Sequence, residues 1–447
     1  MLKNLSFLLI LAVPVRAQEP LSLNQAVQLA VTHNQTIAAA AAGAKAAQAG
    51  IHEARSGWLP KLNYSESWTR SDNPVFVFSS LLTQHQFTMD NFQLGPLNRP
   101  DALNNFQSQL SVDQVIYDGG RTSQAVRSAE LMHQSSDELG RQAHMSVLAG
   151  VARAYYGALL AEASLKAAAE SLRSADADLK LAESVHAAGM STEVDVLSIR
   201  VHRAQVEEQR IRRAADLDVA RAALNDALGL PLDTPHRLTT GLEVVPQAKQ
   251  PLADYESAAI ADRPETRALK LAANLAQAQI RTAHGALLPQ VGVHAAFEAD
   301  RQRFVDRGGA NWLAAVSLQW NLFNGFGDKA RIAAAAEGLH RAEAEQERAR
   351  SGIQLEVRRA YADLSAAAQR IHVAESAIAE AEESRRITQN RYQAGLATVT
   401  DLLRTETAVL ESQTRYLAAV HDQRVAAVAL DLAAGTLTEG SEVLRGN

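Results

Sequence analysis

The residues best able to do chemistry in this chain are scattered, and few of them converge by spacing. Gly325-Phe326-Gly327-Asp328-Lys329-Ala330 fits G-x-G-x-x-A, the pattern whose glycines let a backbone approach a dinucleotide pyrophosphate at a helix N-terminus. That chemistry needs a buried parallel strand before the glycines and a βαβ unit of about 30 residues around them. Here the preceding stretch alternates apolar and polar residues and the following one is a very long helix, so these glycines read as a turn. The thirteen histidines show no H-E-x-x-H or other metal-ligand spacing, and His52-Glu53 is a lone, solvated pair on a helix. Cysteine is absent, which removes catalytic thiols, thiolate metal sites, disulfides and lipidated anchors together. Ser, Asp and His are spread along helices with no spacing that argues for a triad. The chain therefore reads as a non-enzyme with no cofactor and no metal. A net charge of −6 without a Lys/Arg cluster interleaved with aromatics excludes nucleic acid as a partner.

Two short stretches stand out for another reason. In Gly189-Met190-Ser191-Thr192-Glu193-Val194-Asp195 and Gly395-Leu396-Ala397-Thr398-Val399-Thr400-Asp401, glycine suits the left-handed residue that ends one helix. Thr192 and Thr398 suit the N-cap of the next, with an acid three residues on. Capping is the plain reading of Asp195 and Asp401.

The elements that hold these turns are duplicated. A shift of 206 residues superposes Tyr117-Asp118-Gly119 on Phe323-Asn324-Gly325, Arg153-Ala154-Tyr155 on Arg359-Ala360-Tyr361, and Gly189, Thr192 and Asp195 on Gly395, Thr398 and Asp401. A common offset without insertion marks an internal duplication. Before each turn lies a proline-free stretch, Arg121 to His186 and Gly327 to Gln393, long enough for roughly 100 Å of helix. Apolar residues recur every seven positions at Val151, Ala158, Leu165, Leu172 and Leu179, and at Val357, Leu364, Ile371 and Ile378, which is the coiled-coil signal. The order in each copy is helix, strand, loop, strand, long helix, tight turn, helix. The first helices break near His33-Asn34 and at Arg263-Pro264, and both end at a leucine-proline pair, Leu59-Pro60 and Leu288-Pro289, since the residue before proline leaves the helical region.

Met1 to Pro20 carries Lys3, an apolar run from Leu5 to Val13, and small residues at Val15 and Ala17, a secretory signal cut after Ala17. No later stretch is long and apolar enough for a transmembrane helix. The strands alternate instead: Trp312, Ala314, Val316, Leu318 and Trp320 share one face, as do Val291, Val293, Ala295 and Phe297, while Phe106, Leu110 and Val112 oppose Gln107, Gln109, Ser111 and Asp113. Trp312 and Trp320 stand where the aromatic girdles of a membrane barrel would be. Four strands cannot close a barrel, and open edges in lipid leave backbone groups unsatisfied. Two chains give a barrel that side chains fill, whereas three give twelve strands and room for a passage, so a homotrimer is expected. Loops 71 to 104 and 300 to 310 belong on the far side of the membrane, with Val75-Phe76-Val77-Phe78 an apolar run that this scheme does not explain.

The leucine-proline pairs, the Tyr117-Asp118-Gly119-Gly120-Arg121 and Leu322-Phe323-Asn324-Gly325 junctions, the paired glycine turns and the 206-residue repeat together resemble the TolC family of outer-membrane efflux proteins, over essentially the whole mature chain. The resemblance implies a mixed α/β, mainly α-helical fold: a long coiled-coil α-barrel continuing a trimeric twelve-stranded β-barrel to which each chain gives four strands. It implies an outer-membrane tunnel reaching into the periplasm, a passive conduit of a tripartite efflux or type I secretion system. Its partners would be a periplasmic adaptor, an inner-membrane pump of RND, ABC or MFS type, and outer-membrane lipid. The two glycine turns become hairpin tips and adaptor contacts, and Asp401 matches the first position of an acidic ring that constricts the pore. The next acidic position of that ring is Arg404 here. The expected organisation is a signal peptide 1–17, a first repeat 18–228, an irregular connector 229–251, a second repeat 252–434 and a poorly ordered tail 435–447. The competing class is a periplasmic coiled-coil adaptor, which would need one helical hairpin flanked by small β-domains where this chain has two hairpins.

Overall fold

The computed structural model describes residues 19–245, 248, 250–305 and 308–445; the expected signal segment, residues 1–17, lies outside them. The chain divides into two compact units. One takes in the described residues up to Ala42, then Glu138–Arg267, and the chain from Glu347 on; the other is Gly43–Asp137 with Ala268–Gln346. Each unit draws on both copies of the repeat.

The second unit is organised by four strands: β2 (Lys61–Ser71), β3 (Leu103–Tyr117), β5 (Gln290–Arg301) and β6 (Gly309–Gln319). They form one antiparallel sheet in the order β2-β3-β5-β6. The register puts Tyr64, Leu110, Phe297 and Trp312 in one cross-strand row and Leu62, Val112, Ala295 and Ala314 in the row below. Because side chains alternate across a strand, these rows share one face, which is mostly apolar and open, with Tyr64, Trp68, Phe297, Trp312, Val316 and Leu318 exposed; Glu66, Ser108 and Arg301 form a polar cluster on the same face, Arg301 Nη2 donating to Glu66 Oε1 at 3.4 Å. The opposite face is polar, with His294 Nδ1 2.7 Å from Asp113 Oδ1 and Gln107 donating to Glu298 at 3.1 Å. The outer strands β2 and β6 pair on one side only, leaving two rows of unpaired backbone groups.

The segment between β2 and β3 is structured. Val75-Phe76-Val77-Phe78 opens helix α3 (Pro74–Thr83), whose N-cap Asn73 accepts from Val75 N at 2.9 Å and Phe76 N at 3.2 Å. Val77 is buried, and Phe78 meets Phe87 and Phe92 edge-on at 4.8 and 6.4 Å. A short helix α4 (Leu94–Asn98) follows. The second half of the apolar run, Val77 and Phe78, thus packs into a small cluster of its own, while Val75 stays exposed.

The first unit is mainly helical. Helix α1 (Leu23–His33) and α2 (Gln35–Arg55) break at Asn34, and α7 (Leu252–Asp262) and α8 (Pro264–Gly285) break at Arg263. The long helices α5 (Arg121–Ala187) and α9 (Gly327–Gln393) have 67 residues each, and their partners α6 (Glu193–Leu228) and α10 (Val399–Ala433) likewise start 206 positions apart. Helices α2, α5, α8 and α9 each run on into the second unit. In α9 the buried residues Ile353, Val357, Ala360, Leu364, Ala367, Ile371 and Ala374 alternate three and four apart, a coiled-coil seam. In α5 the seam moves: Val151 and Ala158 are buried, but farther on the buried residues are Ala168, Ala175 and Ala182, with Leu165, Leu172 and Leu179 only half-buried.

Two expectations are corrected in this unit. The connector after Leu228 is pinned rather than merely irregular: β4 (His236–Leu238) pairs in parallel with β1 (Glu19–Leu21), and Gln423 both donates to Val245 O at 2.8 Å and accepts from Val245 N at 2.9 Å. The tail is packed: Leu437 and Leu444, the latter on α11 (Glu442–Arg445), are buried in the main core beside Tyr155 and Leu228. Its polar composition hid two well-spaced leucines, enough apolar area to anchor a short segment.

Candidate functional site

The two hairpin turns lie in the helical unit and have the same construction. Gly189 and Gly395 take φ of +78° and +70°, the left-handed region that costs other residues energy. Their N–H groups donate to His186 O and Tyr392 O, and Met190 N and Leu396 N reach back five residues to Val185 O and Arg391 O, closing α5 and α9. Thr192 and Thr398 then cap α6 and α10. Asp401 Oδ2 accepts from Thr398 Oγ1 at 2.7 Å and Thr398 N at 3.2 Å, while Asp401 N donates to Thr398 Oγ1 at 3.3 Å. Asp195 makes the same three bonds with Thr192, at 2.9, 3.0 and 3.3 Å.

At the second turn the hydroxyl and N–H of Thr398, reinforced by the nearby Arg404 and Arg391, hold the Asp401 carboxyl below the usual carboxylate range. Next to it α6 and α10 frame an open groove lined by Val194, Leu197, Val201 and Leu403, with Arg404 and Glu411 along it. Beneath the turns sits an apolar plug of Ala182, Val196, Ile199, Tyr392, Val399 and Leu402.

One more layer down are polar residues that the sequence reading passed over. Asp178 on α5 and Glu406 on α10 are 2 % and 5 % exposed. Gln389 on α9 donates to Asp178 Oδ1 at 3.4 Å, Ser174 donates to Glu406 Oε1 at 3.2 Å, and Arg385 Nη1 lies 3.7 Å from Glu406 Oε2. Burial, with the neighbouring Glu406 charge, pushes the Asp178 carboxyl up to about 6; burial also raises that of Glu406. The signal was available: Asp178 falls between the seam residues Ala175 and Ala182, and Glu406 between Leu402 and Val409, so each acid occupies a core position of its helix.

The remaining predicted residues lie in the strand unit. Trp312 is 80 % exposed on the apolar sheet face, and Trp320, just past β6, donates from Nε1 to Leu287 O at 3.0 Å. The sequence reading missed Tyr64 and Trp68 of β2, which extend the same aromatic face. The Gly325–Ala330 stretch joins the end of a turn to the first turn of α9, capped by Asn324 Oδ1, which accepts from Asp328 N at 3.3 Å. Asp118 does the same for α5, accepting from Thr122 N at 2.7 Å. Among the described residues no helix is long and apolar enough to cross a membrane, and the exposed apolar surface that could do so is the sheet.

The model of the outer membrane efflux protein family matches this chain over residues 26–230 and 256–436. The chain belongs to that family. Protein CyaE of Bordetella pertussis is 28% identical over 95% of this chain and 86% of its own length, and the alkaline protease secretion protein AprF of Pseudomonas aeruginosa is 25% identical over 86% and 78%. Among solved structures, the CmeC outer membrane channel of Campylobacter jejuni superposes with a TM-score of 0.78 at 16% identity, covering 94% of this chain and 87% of that one. VceC of Vibrio cholerae gives 0.75 at 20% identity, covering 92% and 96%. The protein is an outer-membrane export channel that extends into the periplasm, and its family is one of channels.

Proposed function

We propose that three copies of this chain form one passive duct, a twelve-stranded barrel in the outer membrane leading to a helical periplasmic tunnel. The observation that carries this reading is the four-stranded sheet with an exposed apolar face and two unpaired edges. In lipid each unsatisfied edge group costs several kcal/mol, so the sheet needs further copies to close it. Three copies supply twelve strands, enough to enclose a passage, with the face bearing Asp113, His294 and Glu298 toward it and Trp312 and Trp320 toward the lipid interfaces. Native mass spectrometry of detergent-released protein should give three chains per particle; a monomer or dimer overturns the reading.

The duct does no chemistry on its cargo. Its Gly189 and Gly395 turns form the periplasmic end, where Asp401 and Arg404 of the three copies border the aperture, and a ring of fixed charge there sets the local concentration of small ions. Gly189, Thr192, Asp195, Gly395 and Thr398 present the tips to a periplasmic adaptor, and the apolar groove at Val194, Leu197, Val201 and Leu403 suits the apolar face of a helix. The adaptor in turn joins the duct to an inner-membrane pump. Relatives carry names for secretion of a protease and for export of pyoverdine, and a wall of mostly small and polar residues leaves cargo choice to the pump. The repeats at 18–228 and 252–434 then each supply two strands and one tip.

A further inference from the structure

The segment between β2 and β3 is seated on the polar face of the sheet, and its seat is built mainly of acceptors. Helix α3 ends there. Asn311 Nδ2 donates to Thr83 O at 3.2 Å, and a Cβ on Gly309 would collide with that same carbonyl, so the glycine leaves the space that the helix end fills. Gln84, which follows α3 as its C-cap and is 1 % exposed, donates from Nε2 to Asn104 O at 3.0 Å and to Asn105 Oδ1 at 2.8 Å. Asn105 in turn donates from Nδ2 to Asp300 Oδ1 at 2.6 Å. Asp300 is also 1 % exposed, and it pairs across the sheet with Gly309.

Two buried oxygens at this seat have no hydrogen-bond partner, Gln84 Oε1 and Asp300 Oδ2. Glu298 lies two residues before Asp300 on the same face. Its carboxyl is in hydrogen-bonding contact with that of Asp300, and its Oε2 accepts from Gln107 Nε2 at 3.1 Å. We propose that Asp300, Glu298 and Gln84 bind a divalent cation of the Ca2+ class, which pins the end of α3 to the sheet.

Charge favours a metal ion over a water molecule here. The amides of Asn105 and Gln107 each satisfy one carboxylate oxygen but neutralise nothing, and among the described residues no lysine or arginine is paired with either acid. A helix C-terminus adds about half a negative charge. Thr83 O brings that end over Gly309, whose Cβ position would be about 5 Å from the Cβ of its cross-strand partner Asp300. Two touching carboxylates under a helix C-terminus, with Asp300 out of contact with solvent, are costly unless a cation joins them. A water molecule would satisfy the orphaned oxygens and leave the charge. The ligand set then chooses the ion. Carboxylate and amide oxygens suit a hard cation, and Ca2+ takes about six to eight oxygens in flexible geometry, with water among them, whereas Mg2+ demands a near-ideal octahedron.

The site lies within a single chain, so it stands or falls independently of the trimeric duct. The test is calorimetric titration of Ca2+ alone into chelator-stripped, full-length protein in detergent, with hydrogen exchange of Pro74–Thr83 followed in the same samples. The wild type should bind Ca2+ and exchange more slowly along α3 once it is bound. Asp300→Asn, which keeps an oxygen for Asn105, and Glu298→Gln should each weaken binding by roughly tenfold or more and remove the Ca2+-dependent slowing. Should Asp300→Asn fail to fold, Glu298→Gln decides alone. Absence of uptake by the wild type, uptake that survives unchanged in the folded variants, or uptake that leaves exchange in α3 unaltered overturns the site.

Discussion

Tyr155 shows how one hydroxyl ties distant parts of the helical unit together. It donates to Leu21 O at 2.8 Å and accepts from Thr240 N at 3.0 Å, fully buried. Tyr155→Phe leaves Thr240 N unpaired, while Leu21 O keeps its bond from Thr239 N at 3.1 Å, and should cost about 1–3 kcal/mol, read as a lower apparent midpoint of thermal unfolding in detergent; an unchanged midpoint would show that water replaces the hydroxyl. Asp401 belongs to the opposite class, a half-buried cap at the start of α10 that the proposed duct places at its aperture. As its carboxyl is held below the usual range by Thr398, its contribution is present above the unfolded value near 4 and is lost only as pH falls below that range. Asp401→Ala should lower cation preference in single-channel recordings at neutral pH, and the wild-type preference should persist down to about pH 4. Unaltered selectivity in the variant would remove Asp401 from the aperture.

At the scale of elements, the seam of α9 carries its packing. Leu364→Ala removes a residue 4 % exposed and should cost about 2–5 kcal/mol, measured as increased susceptibility of α9 and α10 to limited proteolysis; an unchanged digestion pattern would show that the seam collapses around the cavity. Much of this architecture was legible in the sequence because its signals are periodic or steric. Strands start directly after the prolines at 60 and 289, although α2 and α8 already end at Arg55 and Gly285; the heptads of α9 fall where the seam lies, and the Thr-to-Asp spacing of three forms both capping boxes. What escaped was decided by tertiary contact. The α5 seam slid from Leu165 and Leu172 onto Ala168 and Ala175 because small residues let neighbours approach more closely than leucines do. The run Val75–Phe78 was opaque because its partners Phe87 and Phe92 lie beyond one helical turn. Asp178 and Glu406 were overlooked because an acid in a helix rich in acids looks solvated until its neighbours are known.

At the scale of the whole molecule, the proposed trimer accounts for surfaces that the single chain leaves open. Its sheet has an apolar face open to solvent and edges without partners, and α6 exposes Val194, Leu197, Val201, Ile211 and Val219, spaced as a second seam would be. Such surface is costly in water for a monomer of any function, and both features are relieved by copies of the same chain arranged about an axis. The most direct test is negative-stain imaging of protein extracted with detergent from an outer-membrane fraction. Three-fold class averages with a central low-density channel are the predicted result. Particles that remain single chains, or that stay dispersed without detergent, would contradict the duct.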